Sequence, residues 1–259
     1  MELPTKIVKA DQGRLSSLVL FSNPKCGKTS LLAQLPNNLI IDTEDGAEFT
    51  DSLRINVLQV AAKENSNPVK VLNDIAVAIR KANQEKGDFV YDYISLDTLT
   101  GIEKYARKYA TVLYKKSNIG KNFEGDDVVS QLKDGAGYEW LRMAFREILN
   151  PFRGLAKKCI IYTGHTTLKS SVSKKAEDIQ VRDLMLTGKL KMDILQQVDA
   201  TGYLMRDLED VNKVVAIFKS SEKDLATGAR PAHLANTEFV ISELIDGKFV
   251  SHWDKIFKS

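Results

Sequence analysis

The chain has 259 residues, 43% hydrophobic and 27% charged, with 37 basic against 34 acidic side chains for a net charge of +3. That balance excludes disorder as the default, and the small charge names no partner by itself. The only cysteines, Cys26 and Cys159, argue against a structural disulfide and for a reducing compartment. No apolar run approaches the roughly 20 residues that span a bilayer, and the opening MELPTKIVKADQGRL has no apolar signal region. A cytoplasmic protein with no membrane partner is expected.

Short apolar runs alternate with helical patterns, which predicts a mostly parallel sheet with helices on both faces. Leu18–Phe21 reads as the first strand and Thr29–Leu35 as the helix after it, ended by Pro36. Leu39–Asp42 is a second buried strand and Ile55–Val60 a short third. Val69–Lys86 is an amphipathic helix with Val69, Leu72, Ile75, Ala76 and Ile79 on one stripe. Tyr93–Asp97 is a strand and Gly101–Tyr114 a helix. The stretch from Lys115 to Gly137 is polar and glycine-bearing and reads as a mobile insertion. Helix resumes over Gly137–Ala156, bent at Pro151. A strand at Cys159–Thr163 leads into a second polar loop reaching Leu184, then a helix at Leu190–Val198. Asp199–Asp207 and Val211–Ser220 form an antiparallel hairpin. No repeat or linker marks a boundary, so one domain is expected over residues 1–259, with its core at 16–220 and an extension at 221–259.

The segment Ser22, Asn23, Pro24, Lys25, Cys26, Gly27, Lys28, Thr29 follows the G-x-x-x-x-G-K-[ST] pattern, with Ser22 in place of the first glycine. It follows a hydrophobic strand and opens a helix, a context that a chance Gly-Lys-Thr lacks. Backbone N–H groups from the loop into Ser30, at the helix N-terminus, would surround a β-phosphate where positive partial charge gathers. Lys28 would set its ammonium on the β- and γ-phosphates, and the Thr29 hydroxyl would ligate Mg²⁺. ATP and Mg²⁺ are therefore the expected ligands. If the Ser22 position needs φ > 0, serine is less comfortable there than glycine. Cys26 reads as a small filler, although a helix N-terminus can lower a thiol pKa.

Asp97 ends an apolar strand, where an acid would hold Mg²⁺ through its water shell or bond Thr29; capping the next helix is the competing role. Thr98 follows it, so the glutamate that many AAA+ ATPases carry at that position is absent. A base for the attacking water must come from elsewhere. Asp42, Glu44 and Asp45 compete for that role beyond the second strand, since strand C-termini line the ligand crevice of an open parallel sheet.

Together Ser22–Thr29, Ile41–Glu44, Ile94–Thr98 and Ile160–His165 resemble the RecA-like recombinase ATPases, and within them the compact phage single-strand annealing ATPases. The resemblance spans residues 16–220 and implies a RecA-like P-loop NTPase core with a C-terminal antiparallel hairpin. It makes Glu44 the catalytic acid and His165 a γ-phosphate sensor linked to a DNA-binding loop; His165 by itself would be an ordinary polar strand-end residue. That loop, Thr166–Leu184, carries Lys169, Lys174, Lys175 and Arg182 among serines, a chemistry for sequence-independent phosphate contact. Its lack of an aromatic leaves base stacking to other residues, such as Phe123. RecA-like rings and filaments set ATP between subunits, which makes Lys219, Lys223 and Arg230 candidates for a finger reaching a neighbour's site.

The resemblance thus implies an ATP-dependent, single-stranded DNA-binding recombination or annealing ATPase, oligomeric and DNA-stimulated, in a bacterial cytoplasm if phage-encoded. A single-stranded DNA-binding protein is a further partner it suggests. Relative to full-sized recombinases the sequence shows no long polymerisation arm and no large C-terminal domain. The alternatives are a DNA-independent accessory ATPase that loads helicases or aids packaging, and a P-loop kinase.

Overall fold

Strands buried on both faces lose the polar alternation of a half-exposed sheet, and the apolar runs of this chain sit where that rule puts them. The computed structural model describes residues 14–172, 178–221, 224 and 226–258. In chain order β1 (Ser17–Ser22), α1 (Lys28–Ala33), β2 (Asn38–Asp42) and β3 (Leu53–Asn56) come first. Next are α2 (Val57–Lys63), α3 (Pro68–Lys86), β4 (Tyr93–Asp97) and α4 (Leu99–Lys116). They are followed by α5 (Val128–Gln131), α6 (Gly137–Leu149), β5 (Cys159–Val172), β6 (Asp178–Leu184) and α7 (Leu190–Leu195). Last come β7 (Ala200–Arg206), β8 (Lys213–Ile217), β9 (Gly228–Ala229), β10 (Glu238–Ile245) and β11 (Lys248–Ser251).

Among the described residues these strands join in the order β11-β10-β8-β7-β1-β5-β4-β2-β3, with β6 paired to β5 and β9 to β7. The six strands from β7 to β3 run parallel. Strands β8, β10 and β11 continue the sheet antiparallel. The fold is therefore the expected mixed α/β one, a mostly parallel sheet between helices with an antiparallel C-terminal edge. No described helix is long and apolar enough to cross a membrane.

Because side chains alternate across a strand, β1 serves two cores. Val19 and Phe21 join the cluster under α3, α4 and α6. Leu18 and Leu20 join the opposite cluster with Leu31 and Leu32 of α1 and with Trp253 and Ile256. The expected extension at 221–259 is thus structural: Ile241 and Ile256 are fully buried, and the Trp253 indole donates to the Leu31 carbonyl at 2.9 Å.

Three sequence expectations need correction. Val57–Val60 is helix rather than strand, because the Asn56 side chain accepts from the Gln59 N–H and caps α2. The polar insertion after Lys115 is packed. Phe123 meets Tyr114 edge-on at 5.2 Å, Tyr114 meets Trp140 at 5.3 Å, and Val128 is fully buried. The second polar loop is a hairpin in which β5 runs past the sheet and pairs antiparallel with β6.

Candidate nucleotide site at the strand ends

Parallel strands deliver their C-terminal residues to one edge, and register decides which meet. Ser22 lies opposite His165, Leu20 opposite Thr163, and Asp42 opposite Asp97. Because β5 lies between β1 and β4, Thr163 bridges the P-loop strand and the Asp97 strand. These residues border a cleft of about 600 Å³ lined by Gly27, Lys28, Thr29, Glu44, Asp97 and His165, among others.

The loop takes left-handed backbone at Lys25 (φ 63°) and Gly27 (φ 92°), but not at Ser22. Ser22 is instead the buried last residue of β1, so replacing glycine there carries no backbone penalty. Its hydroxyl accepts from Lys28 Nζ at 2.9 Å. Burial lowers the Lys28 pKa, opposed first by the carboxylate of Asp97. Cys26 is buried and its thiol is pushed up, mainly by burial, which fits an inert filler.

Asp97 is buried, its Oδ2 accepting from Thr29 Oγ1 at 2.7 Å and its Oδ1 from Thr163. Burial raises its pKa, while the two hydroxyls and Lys28 oppose that. It does not cap α4; Thr98 does, accepting from the Gly101 N–H at 3.1 Å. A threonine hydroxyl beside a carboxylate is a hard-oxygen donor set, the kind Mg²⁺ takes when it keeps most of its water and phosphate ligands.

Among the three competing acids, Asp42 accepts from the backbone N–H of Glu44 (3.0 Å) and of Ala47 (2.9 Å), shaping the turn. Asp45 faces Asn56 and Gln59. Glu44 instead meets His165 Nε2 at 2.8 Å, Thr98 Oγ1 at 2.8 Å and Lys104 Nζ at 2.9 Å. The His165 hydrogen bond, helped by Lys104 and Thr98 against burial, lowers the Glu44 pKa to about 2. The Nδ1 of His165 is buried without a partner among the described residues. A close approach holds the turn: a Cβ at Gly101 would overlap Thr43 Oγ1 and Glu44 Cγ.

The cations expected on DNA or at a neighbour are more dispersed. On the β5–β6 hairpin, Lys169 pairs with Asp183 at 3.1 Å, and Arg182 pairs with Asp224 at 2.8 Å while lying over the Tyr203 ring. Lys174, Lys175 and Lys223 lie outside the described residues. Lys219 is exposed beyond β8. Arg230 donates to the Gln196 carbonyl at 2.7 Å and pairs with Asp199, toward the sheet end opposite this chain's own P-loop. The sequence carries no signal for the C-terminal wall of the cleft: Arg206, Asn212, Leu244 and Phe249 line it, and Phe249 is fastened by Gln34 donating to its carbonyl at 2.5 Å. No motif marks these residues; only the sheet order brings them to the P-loop.

Comparison with curated proteins returns no match. Among solved structures the chain is similar to the crystal structure of the RadB recombinase, at 10% identity over 92% of this chain and 90% of that one, with a TM-score of 0.41. The family described as an AAA domain matches residues 16–231, which takes in the P-loop, Glu44, Asp97 and His165. The chain belongs to this AAA-domain family and is a P-loop ATPase by family, with Thr98 rather than an acid after its Asp97.

Proposed function

We propose that the protein is an oligomeric, ATP-dependent recombination ATPase that binds single-stranded DNA and resembles RecA-like enzymes in its site. The observation that carries this reading is the 2.8 Å contact between Glu44 and His165, because β5 continues from His165 directly into the β5–β6 hairpin. In this reading the loop amides and Lys28 hold the phosphates, and Leu244 and Phe249 form the wall for the base. Thr29 and Asp97 would hold Mg²⁺, and that ion would supply charge neutralisation at the phosphate oxygens. Glu44, kept anionic by its three donors, orients the water that attacks the γ-phosphorus as the bond to the departing ADP oxygen breaks, and takes the water's proton once His165 has let go. A change at the γ-phosphate that frees Glu44 from His165 moves the base of the hairpin, which links hydrolysis to DNA release. The described strands share one sheet, which supports a single ATPase domain for the chain.

A second reading has an observation of its own. Lys169 and Arg182 are both ion-paired within the chain, which weakens the hairpin as a phosphate-binding surface and favours an accessory ATPase without DNA affinity. Turnover measured with and without an oligo-dT strand separates the two. The recombination reading expects stimulation and nucleotide-dependent binding; absence of both would remove it. Phosphate released to water, rather than transferred to a small molecule, excludes a kinase. EDTA should abolish turnover in either ATPase reading.

A further inference from the structure

Away from the nucleotide cleft, α4 presents a second stripe. Tyr105, Lys108, Tyr109, Val112 and Lys116 follow helical spacing along one face. They form one wall of a groove of about 560 Å³, and Leu58 of α2 with Pro68, Val69 and Lys70 at the start of α3 form the other. Leu58 is 41% and Val112 44% exposed, although both are apolar. The tyrosine hydroxyls are engaged elsewhere: Tyr105 donates to the Thr43 carbonyl and Tyr109 to Glu147. The lining holds three lysines and no carboxylate. Lys70 pairs with Asp74, whereas Lys108 and Lys116 have no ion-pair partner among the described residues. Lys115 adds a further cation at the same end of α4, whose other two, Lys104 and Arg107, are paired with Glu44 and Asp127.

From this juxtaposition of an aliphatic floor and a lysine rim, we infer that the groove is a docking site for an acidic amphipathic peptide segment of a protein partner. Apolar side chains of such a segment cover Leu58, Val69 and Val112, and its carboxylates meet Lys108 and Lys116. Helix-in-groove recognition uses this division, with buried anchors for affinity and rim charge for choice of partner. Single-stranded nucleic acid would match the lysines and the Tyr105 and Tyr109 faces of one wall, but would leave the aliphatic surface of Leu58, Pro68, Val69 and Val112 without an apolar partner. The inference does not depend on the DNA reading, since it concerns a different face.

The test uses the full chain and a fluorescein-labelled peptide, Glu-Leu-Asp-Asp-Leu-Phe-Asp-Glu-Leu, followed by fluorescence anisotropy. The expected result is saturable binding that weakens at least about tenfold when the acids are replaced by their amides. Val112→Asp and the double variant Lys108→Glu with Lys116→Glu should each weaken it by a similar factor. Both variants should retain wild-type melting and ATP turnover, because neither touches the core nor the nucleotide cleft. Equal affinity for the amide peptide, or undiminished binding by a folded Val112→Asp protein, would overturn the inference. So would displacement of the peptide by oligo-dT, which would make the groove a nucleic-acid seat. Loss of self-association in either variant would also overturn it, by making the occupant a second copy of the chain.

Discussion

At Glu44, three donors from two elements converge: His165 from β5, Thr98 at the cap of α4, and Lys104 nearly two turns further along that helix. The carboxylate is thereby kept ionised and aimed, two different contributions that one substitution separates. Glu44→Gln keeps the shape and most of the hydrogen bonding but loses the charge. We expect it to bind ATP normally while turnover falls about 10²- to 10⁴-fold, the usual share of a general base; a similar loss in Asp45→Asn instead would place the base wrongly. Lys28→Ala should abolish binding or turnover, and retained wild-type hydrolysis would count against the P-loop assignment.

The same carboxylate gives a pH signature. Its pKa is depressed from 4.5 to about 2 in the folded chain, so its stabilising contribution is complete above pH 4.5 and disappears as pH falls toward 2. Melting curves of wild type and Glu44→Gln should therefore differ most near neutral pH and converge in that acid window. A gap that stays constant across it would show that Glu44 is not the titrating group.

Elements were legible wherever burial imposes a pattern. Tyr93–Asp97 is buried throughout, and its apolar run predicts its exact limits. The β5–β6 hairpin reads as a loop in the sequence because it projects past the sheet, where little core demands alternation, and its polar residues resemble a linker. Only at its base does packing become strict, since a Cβ on Gly164 would strike the Leu184 side chain. Gly164→Ala should therefore cost about 1–3 kcal/mol, the range for overpacking a filled site. Thermal melts measure the loss; if hairpin and site are coupled, turnover should fall with it. An unchanged melting temperature would mean that Leu184 moves aside freely. For α2, the missed boundary was a cap: Asn56 stops the strand by accepting the N–H that starts the helix.

Across the whole molecule, the C-terminal tail does two jobs that one truncation would confuse. Trp253 closes the core over α1, whereas Phe249 faces the nucleotide cleft. Trp253→Ala should cost about 3–5 kcal/mol of stability, as aromatic-to-alanine changes in a core do. Phe249→Ala should leave melting nearly unchanged while weakening ATP binding several-fold, consistent with about 1 kcal/mol of lost base stacking. Titration of a fluorescent ATP analogue against both variants tests this split, and equal destabilisation of the two would erase it.

The P-loop, the strand that ends in Asp97 and the parallel character of the sheet follow from sequence alone, because each is a local pattern of residue type and spacing. Which acid faces His165, which cations are already paired and which tail residues reach the cleft depend on strand order. Strand order is long-range: β5 lies between β1 and β4, and β10 and β11 close an edge more than two hundred residues after the loop they approach. No local window contains those pairings. The tertiary structure decided them by bringing chain segments distant in sequence to one end of a common sheet.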